Sequence, residues 1–386
     1  MGTKRELLLL FVITIFFNNS FAQSYSSRTL QYRGDTRQYQ IYVPASYDGA
    51  SSVPLLFNFH GGSDVIANQI SIADMSPIAD TADFILVYPQ ALSDPNDGGS
   101  NNWIHKSPTD IDDVFFIDLL IDTLAANYNI DLTRVYACGY SLGGEFTFEL
   151  ACRLNNRIAA IAVVARTMGV QTLNYCAPVH PTGVLTILGT SDQTSNYNGV
   201  SWAGVKYYLS ADEVHDYWVN HNNCNPIPII SAMPNTNSSD GSTVEKYVWL
   251  DENACSYVQQ FKVIGGGHDW PGTYGNMDIN ATKEVWDFVS RYDMDGLMAC
   301  SGPTSVIEMK DLGINYRVYP NPFVDELVIE TNFIDDKKFE IFKTSGELVI
   351  DGQLNSDKNN IDLSFLEPNI YVLKFGQRGI VLLKRE

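Results

Sequence analysis

VYACGYSLGGEF, residues 135–146, holds the pattern Gly139-x-Ser141-x-Gly143, and its flanks decide which fold the chain adopts. Alone the pattern is weak, because chance supplies such a pentapeptide in roughly one chain in ten of this length. The context is stronger. RVYAC before it is an apolar run of strand character, and EFTFELACRLN after it reads as a helix. A serine on a sharp strand-to-helix turn needs glycines on both sides, since a Cβ there would clash, and that turn lifts the hydroxyl clear of the sheet.

Working outward from this turn, the chain alternates apolar runs with helical stretches from about Ser24 to Tyr292. RQYQIYVP alternates with period two, as an outer antiparallel strand does. VPLLFNFHGG, FILVYPQ, IAAIAVVA and GVLTILGTSD are short continuous apolar runs, as in strands buried on both faces. DIDDVFFIDLLIDTLAANY places Val114, Ile117, Leu120, Ile121 and Leu124 at helical spacing behind acidic residues that suit a helix N-terminus. QQFKVIGGGHDWPG is a strand running into a glycine-rich loop, and ATKEVWDFVSRY is a closing helix. Strands alternating with helices predict a mostly parallel α/β sheet with helices on both faces. After Tyr292 the pattern changes. Residues 295–315 read as a linker, and 316–386 as a run of short strands forming a small β-sandwich, with TSGE as a hairpin signal.

At 386 residues two domains are expected, and an apolar fraction of 45% supplies a sizeable core. The formal net charge of -20 argues against nucleic acid as a partner, because a polyanion would be repelled. Lys4 and Arg5, then LLLLFVITIFF, then NSFAQ give the three parts of a secretory signal peptide, with cleavage after Ala22. Residues 1–22 are therefore read as a leader and 23–294 as the α/β domain. No other segment is apolar enough to span a bilayer, so the mature protein is expected to be secreted without a transmembrane segment. Export permits disulfides. Of the six cysteines, Cys224 and Cys255 bracket one loop-rich insertion, Cys152 and Cys176 are a second pairing, and Cys138 sits in a buried strand as an inert thiol. Spacing leaves the connectivity open and offers no zinc pattern, so no metal is expected.

If Ser141 is a nucleophile, it needs a base and an acid to orient that base. In the α/β-hydrolase arrangement these follow in the order Ser, Asp or Glu, His, on loops after later strands. Asp192 follows VLTILGTS directly, and His268 follows Gly265, Gly266 and Gly267. His105, His180, His215 and His221 lack such positions, and Asp269 is a poorer orienter than Asp192. An oxyanion hole calls for two backbone N–H groups. Leu142, after the nucleophile, and Gly62, in the loop HGGS (60–63), are the candidates. His60 is read as holding that loop, and Ser63 as a turn residue. Trp103, Tyr197 and Trp202 are candidate substrate-binding aromatics, weighed against core and lid packing. No cofactor is required.

In order and spacing, LLFNFHGG, LVYPQ, DDVFFIDLLIDTL, DLTRVYACGYSLGG, GTSD and GGGHDWPG resemble the secreted polyhydroxybutyrate depolymerase and feruloyl esterase group of carbohydrate esterase family 1, over residues 28–290. The resemblance implies a secreted serine esterase with Ser141, Asp192 and His268 as the triad and Cys224 bridged to Cys255. It implies feruloyl or acetyl esters of plant polysaccharides as substrates, with a polyester as the alternative. A surface binding protein that has lost activity is a third reading. Leu142, Ser63 and Asp64 depart from what many members carry. VYPNPFVDELVIE, KTSGELV, IDLSFLEPNIYVLKF and the terminal LLKRE resemble the type A sorting domain of the type IX secretion system. That implies export through this machinery, with release or attachment at the cell surface; a carbohydrate-binding sandwich is the competing reading.

Overall fold

The structure is a computed structural model. It describes residues 24–95, 98–103, 112–251, 255–298, 307–311, 314–320, 323–331, 338–343, 347–375 and 378–384. The expected leader, His105 and Cys300 lie outside these.

The strands that carry the α/β region are β1 (Ser26–Tyr32), β2 (Asp35–Tyr42), β3 (Val53–Phe59), β4 (Ile85–Pro89), β5 (Ile130–Tyr140), β6 (Ala160–Val164) and β7 (Gly183–Gly189). A surface hairpin follows, β8 (Val200–Trp202) with β9 (Val205–Tyr208), and then β10 (Ile229–Ala232), β11 (Thr243–Leu250) and β12 (Ser256–Ile264). All but the hairpin join one ten-stranded sheet in the order β1-β2-β4-β3-β5-β6-β7-β12-β11-β10. The six strands from β4 to β12 run parallel, and antiparallel pairs close both edges. β3, β4, β6 and β7 are buried along their whole length, which is why they read as continuous apolar runs. This is the expected α/β-hydrolase sheet.

The helices are α1 (Ile66–Ile72), α2 (Ser76–Ala82), α3 (Asp113–Ala125), α4 (Leu142–Arg153), α5 (Val170–Asn174), α6 (Ala211–His221) and α7 (Ala281–Val289). Asp112 caps α3 by accepting from the Val114 N–H, and the five apolar residues expected on its inner stripe are all buried. α4 packs on β5 and β6, and α7 on β6 and β7. One inward position of β2 departs from apolar patterning. Arg37 is fully buried, paired with Asp113 at 2.6 Å and lying 3.8 Å over the Phe116 ring.

Toward the C-terminus two four-stranded antiparallel sheets enclose a core of their own, which includes Val318, Leu327, Ile329, Phe339, Ile341 and Leu373. Of the aromatics at strand spacing there, Tyr371 and Phe339 belong to that core, while Tyr319 and Phe342 are half-buried. The first strand, Ile307–Asp311, begins within the stretch read as a linker.

The cysteines correct one expectation. Cys152 joins Cys176, tying the end of α4 to the turn after α5. Cys224 is a free, buried thiol. Cys255 is disulfide-bonded, but not to Cys224. The insertion between them folds into β10 and β11 on the sheet edge, which sets Cys224 opposite Asp251 in a bridge and leaves Cys255 beyond it. Burial then pushes the Cys224 thiol up to about 12, away from the reactive thiolate. Mapping of unreduced, alkylated protein is expected to return Cys152 linked to Cys176 and Cys224 alkylated. A peptide joining Cys224 to Cys255 would contradict this arrangement.

His215, in α6, is buried, bonds Thr186 Oγ1 at 2.8 Å and stacks on Trp249. Burial lowers its imidazole to about 3, against about 6.5 in an unfolded chain. Between those values only the unfolded chain binds the proton. The contribution to stability is therefore complete above pH ~6.5 and is lost as pH falls toward 3. The Tm is expected to fall over this window on acidification, and less steeply in His215→Phe. An unchanged slope in that variant, followed by differential scanning fluorimetry, would remove His215 from the account.

Candidate active site

β5 enters the turn through Gly139 and leaves it as α4. Ser141 sits between them at φ 52° and ψ -121°, a conformation that L residues rarely adopt. Its N–H donates to Val164 O at the end of β6 (3.0 Å), and its own carbonyl accepts from Gly144 and Glu145. The turn closes only because two side chains are missing. A Cβ on Gly139 would lie 2.3 Å from Gly143 O, and one on Gly143 would lie 2.3 Å from Phe59 O and 2.5 Å from His60 O.

Three side chains meet at this turn. Ser141 Oγ lies 2.9 Å from His268 Nε2, and His268 Nδ1 lies 2.7 Å from Asp192 Oδ2. Asp192 is almost fully buried in the loop after β7, while His268 is about one-fifth exposed. The second Asp192 oxygen accepts from the backbone N–H groups of Thr194 (2.8 Å) and Ser195 (2.7 Å). Burial alone would raise this carboxyl, but the His268 bond and these backbone donors outweigh it and hold Asp192 below the usual carboxylate range. Asp269 does not compete, because its carboxylate accepts from the Gly267 N–H at 2.9 Å. His180 and His221 are engaged with backbone carbonyls away from Ser141.

The loop after β3 runs alongside. An ideal Cβ on Gly62 would stand 3.3 Å from Leu142 Cδ2, so the two residues adjoin. Among the described residues neither the Leu142 nor the Gly62 N–H has a hydrogen-bond partner. Ser63 has φ 56°, and its N–H is taken by Asn101 O and Asn102 Oδ1, so it is a turn residue. His60 is buried, with Nδ1 on Gly61 O (2.7 Å) and Nε2 facing the Ala91 N–H (3.1 Å) and the Gln90 amide (2.9 Å). Two donors at Nε2 assign the proton to Nδ1, and burial lowers the pKa, so the ring is a neutral strut for the loop.

Two of the three candidate aromatics are buried. Trp103 is 2% exposed, stacks on Phe146 at 4.8 Å and donates to His60 O, so it is a floor beneath the loop. Tyr197 is 8% exposed, packs with Leu188 and Ala211, and its hydroxyl accepts from Gln260. Trp202 differs. It is 73% exposed on the β8–β9 hairpin, where its pairing with Val205 puts Trp202, Val205 and Tyr207 on one open face. Tyr208, on the opposite face, lies 4.0 Å under the guanidinium of Arg166. Arg166 in turn pairs with Glu145 in the first turn of α4 at 2.5 Å.

The sequence reading passed over Glu145, Arg166 and Gln90. A charge in the apolar helix EFTFELAC and an amide ending the buried strand FILVYPQ were the available signals. Gln90 Oε1 accepts from the Ile66 N–H while its amide reaches His60 and Asp64 O, so one side chain closes the loop around Gly62.

The glycine geometry predicts a graded series. Gly139→Ala and Gly143→Ala force backbone apart and are expected to cost at or above the upper end of ~1–3 kcal/mol. The nearest neighbours of a Cβ on Gly62 are side chains, Asn102 Oδ1 at 3.0 Å and Leu142 from 3.3 Å, so Gly62→Ala is expected to lower Tm less than either. Thermal unfolding of the three variants checks the order.

Residues 317–385 match a family described as a secretion system C-terminal sorting domain. The preceding region is similar to a bifunctional acetylxylan esterase/xylanase of Neocallimastix patriciarum, 27% identical over 271 residues that cover 70% of this chain and 35% of that protein. The chain thus spans about a third of the length of that relative. Feruloyl esterase D of Neurospora crassa is 25% identical, over 69% of this chain and 85% of its own length. Poly(3-hydroxyalkanoate) depolymerase C of Paucimonas lemoignei is 25% identical, over 61% and 60%. No helix among the described residues is long and apolar enough to cross a membrane. The region before residue 317 is thus similar to carboxylic ester hydrolases and carries a sheet of α/β-hydrolase order, and residues 317–385 match a secretion sorting domain.

Proposed function

We propose that the protein is a secreted serine esterase acting through an acyl-enzyme. The observation that carries this reading is the unbroken hydrogen-bonded line Asp192–His268–Ser141 on a strained turn. His268 takes the Ser141 proton as the oxygen attacks the ester carbonyl, and the Leu142 and Gly62 N–H groups receive the oxyanion. Asp192 holds the imidazole and balances its charge. His268 then protonates the departing alcohol, and water repeats the sequence on the acyl-serine. These steps need no metal or cofactor.

The preferred substrates are feruloyl or acetyl esters borne on plant polysaccharides, supported by the acetylxylan and feruloyl esterase relatives. Trp202 is the substrate-contacting aromatic, since it alone of the three expected is open to solvent. The depolymerase relative supports a polyester as the second reading. The C-terminal domain directs the protein to type IX secretion, for release or for attachment at the cell surface.

A fluorophosphonate probe is expected to label the folded protein at Ser141, and Ser141→Ala is expected to lower ester turnover by ~10⁴-fold or more. A folded protein that resists the probe would instead be a binding protein. Release of ferulate from methyl ferulate, set against clearing of a polyhydroxybutyrate suspension, separates the two substrate readings.

A further inference from the structure

Tyr140 stands immediately before Ser141, at the last position of β5, and touches three separate parts of the site. Its hydroxyl donates to the backbone carbonyl of His268 at 2.7 Å. Its ring lies 5.0 Å, centroid to centroid, from the His268 imidazole and meets Trp270 edge-on at 6.3 Å. The same ring abuts the loop that carries Gly62, since a Cβ on Gly61 would come within 3.3 Å of Tyr140 Cδ1.

The loop that bears His268 needs such a fastening. It opens on three glycines, with Gly265 at φ 81°, and is tied on one side to the loop after β7, where Gly265 N–H donates to Thr190 Oγ1 and Gly266 O accepts from Ser191, both at 2.9 Å. Beyond His268 it is anchored from behind, where the buried Trp270 indole donates to Thr282 Oγ1 of α7 at 3.0 Å. Tyr140 supplies the front anchor. Burial, and then the neighbouring Tyr274 hydroxyl, push the phenol upward, so it stays a neutral donor.

We infer that Tyr140 is a positioning residue: its hydroxyl fixes the base-bearing loop to the nucleophile turn, and its ring sets the oxyanion loop against the same turn. The hydroxyl and Ser141 Oγ extend from adjacent residues, so the two bonds to His268, one to its carbonyl and one to its ring, fix both position and tilt of the imidazole. The inference rests on the esterase reading. It goes beyond it, because a positioning residue touches neither substrate nor the reacting atoms.

The test is Tyr140→Phe, which keeps the ring contacts and removes only the hydroxyl. Rates are expressed per Ser141 site, counted by end-point fluorophosphonate labelling. The expected result is a kcat lower by ~10- to 100-fold with KM little changed, since misplacing a reacting group by about 1 Å costs up to ~10²-fold. The initial rate of labelling should fall in the same proportion, because labelling also uses the base, while Tm stays close to that of the parent. Wild-type kcat per labelled site in Tyr140→Phe would overturn the inference, as would a loss explained wholly by fewer labelled sites. Tyr140→Leu, which also removes the ring edge from Gly61, is expected to lose more kcat than Tyr140→Phe; an equal or smaller loss overturns the role given to the ring. Ser141→Ala, run alongside, separates the two readings. If it abolishes turnover while Tyr140→Phe is fully active, the esterase stands and the positioning role fails.

Discussion

At the end of β5 the chain must turn so sharply that Gly139 and Gly143 almost touch, and everything around the site follows from that crowding. Ser141 is left at positive φ with its hydroxyl raised off the sheet. A residue in this conformation is strained by roughly 1–3 kcal/mol and persists only where its surroundings over-determine it. Here the surroundings are specific. Val164 O takes the Ser141 N–H, and the first turn of α4 takes its carbonyl. The neighbouring carbonyls of Phe59 and His60 leave no room for a side chain on Gly143. The same closeness brings the loop after β3 beside Leu142, so the turn that exposes the hydroxyl also brings together the Leu142 and Gly62 N–H groups, which have no partner among the described residues.

The α4 side of the turn is set by charges buried in the protein. Glu145 faces Arg166, Glu149 accepts from Thr172, Tyr175 and Arg153, and Arg153 also reaches Asp112 at the cap of α3. Burying such groups is costly, and a buried pair is weak evidence of net stability. What it secures here is geometry. Removing either partner would strand a charge, at roughly 3–5 kcal/mol, so α3, α4 and α5 are held in one arrangement. The Cys152–Cys176 bond adds a covalent tie at the far end of α4.

What was legible in the sequence was local. Continuous apolar runs marked the parallel strands, the 3.6-residue stripe of DDVFFIDLLIDTL marked α3, and residues that follow strands in chain order singled out Ser141, Asp192 and His268, whose side chains lie within hydrogen-bond distance of one another. These depend on what adjoins each residue along the chain. The burial of Trp103 and Tyr197 and the free thiol of Cys224 were not legible, because their surroundings come from distant segments. Trp103 lies against Phe59 and Phe146, and Tyr197 against Gln260. An aromatic in a polar loop looks the same in sequence whether it faces solvent or a floor of phenylalanines. Arg37 shows the converse. Its place in the alternation of β2 pointed inward, and only Asp113 and Phe116, some 80 residues on, make that tolerable.

The hairpin that bears Trp202 is attached on one side only. Tyr208 under Arg166 and Lys206 on Glu213 anchor its inner face, while residues 201–207 are exposed throughout. Substitutions at such positions usually change stability by no more than about 0.5 kcal/mol. Selection can therefore rewrite this surface in many small steps without threatening the sheet, whereas the turn at Ser141 tolerates almost none. The outer face of the hairpin can therefore change its chemistry almost independently of the sheet behind it.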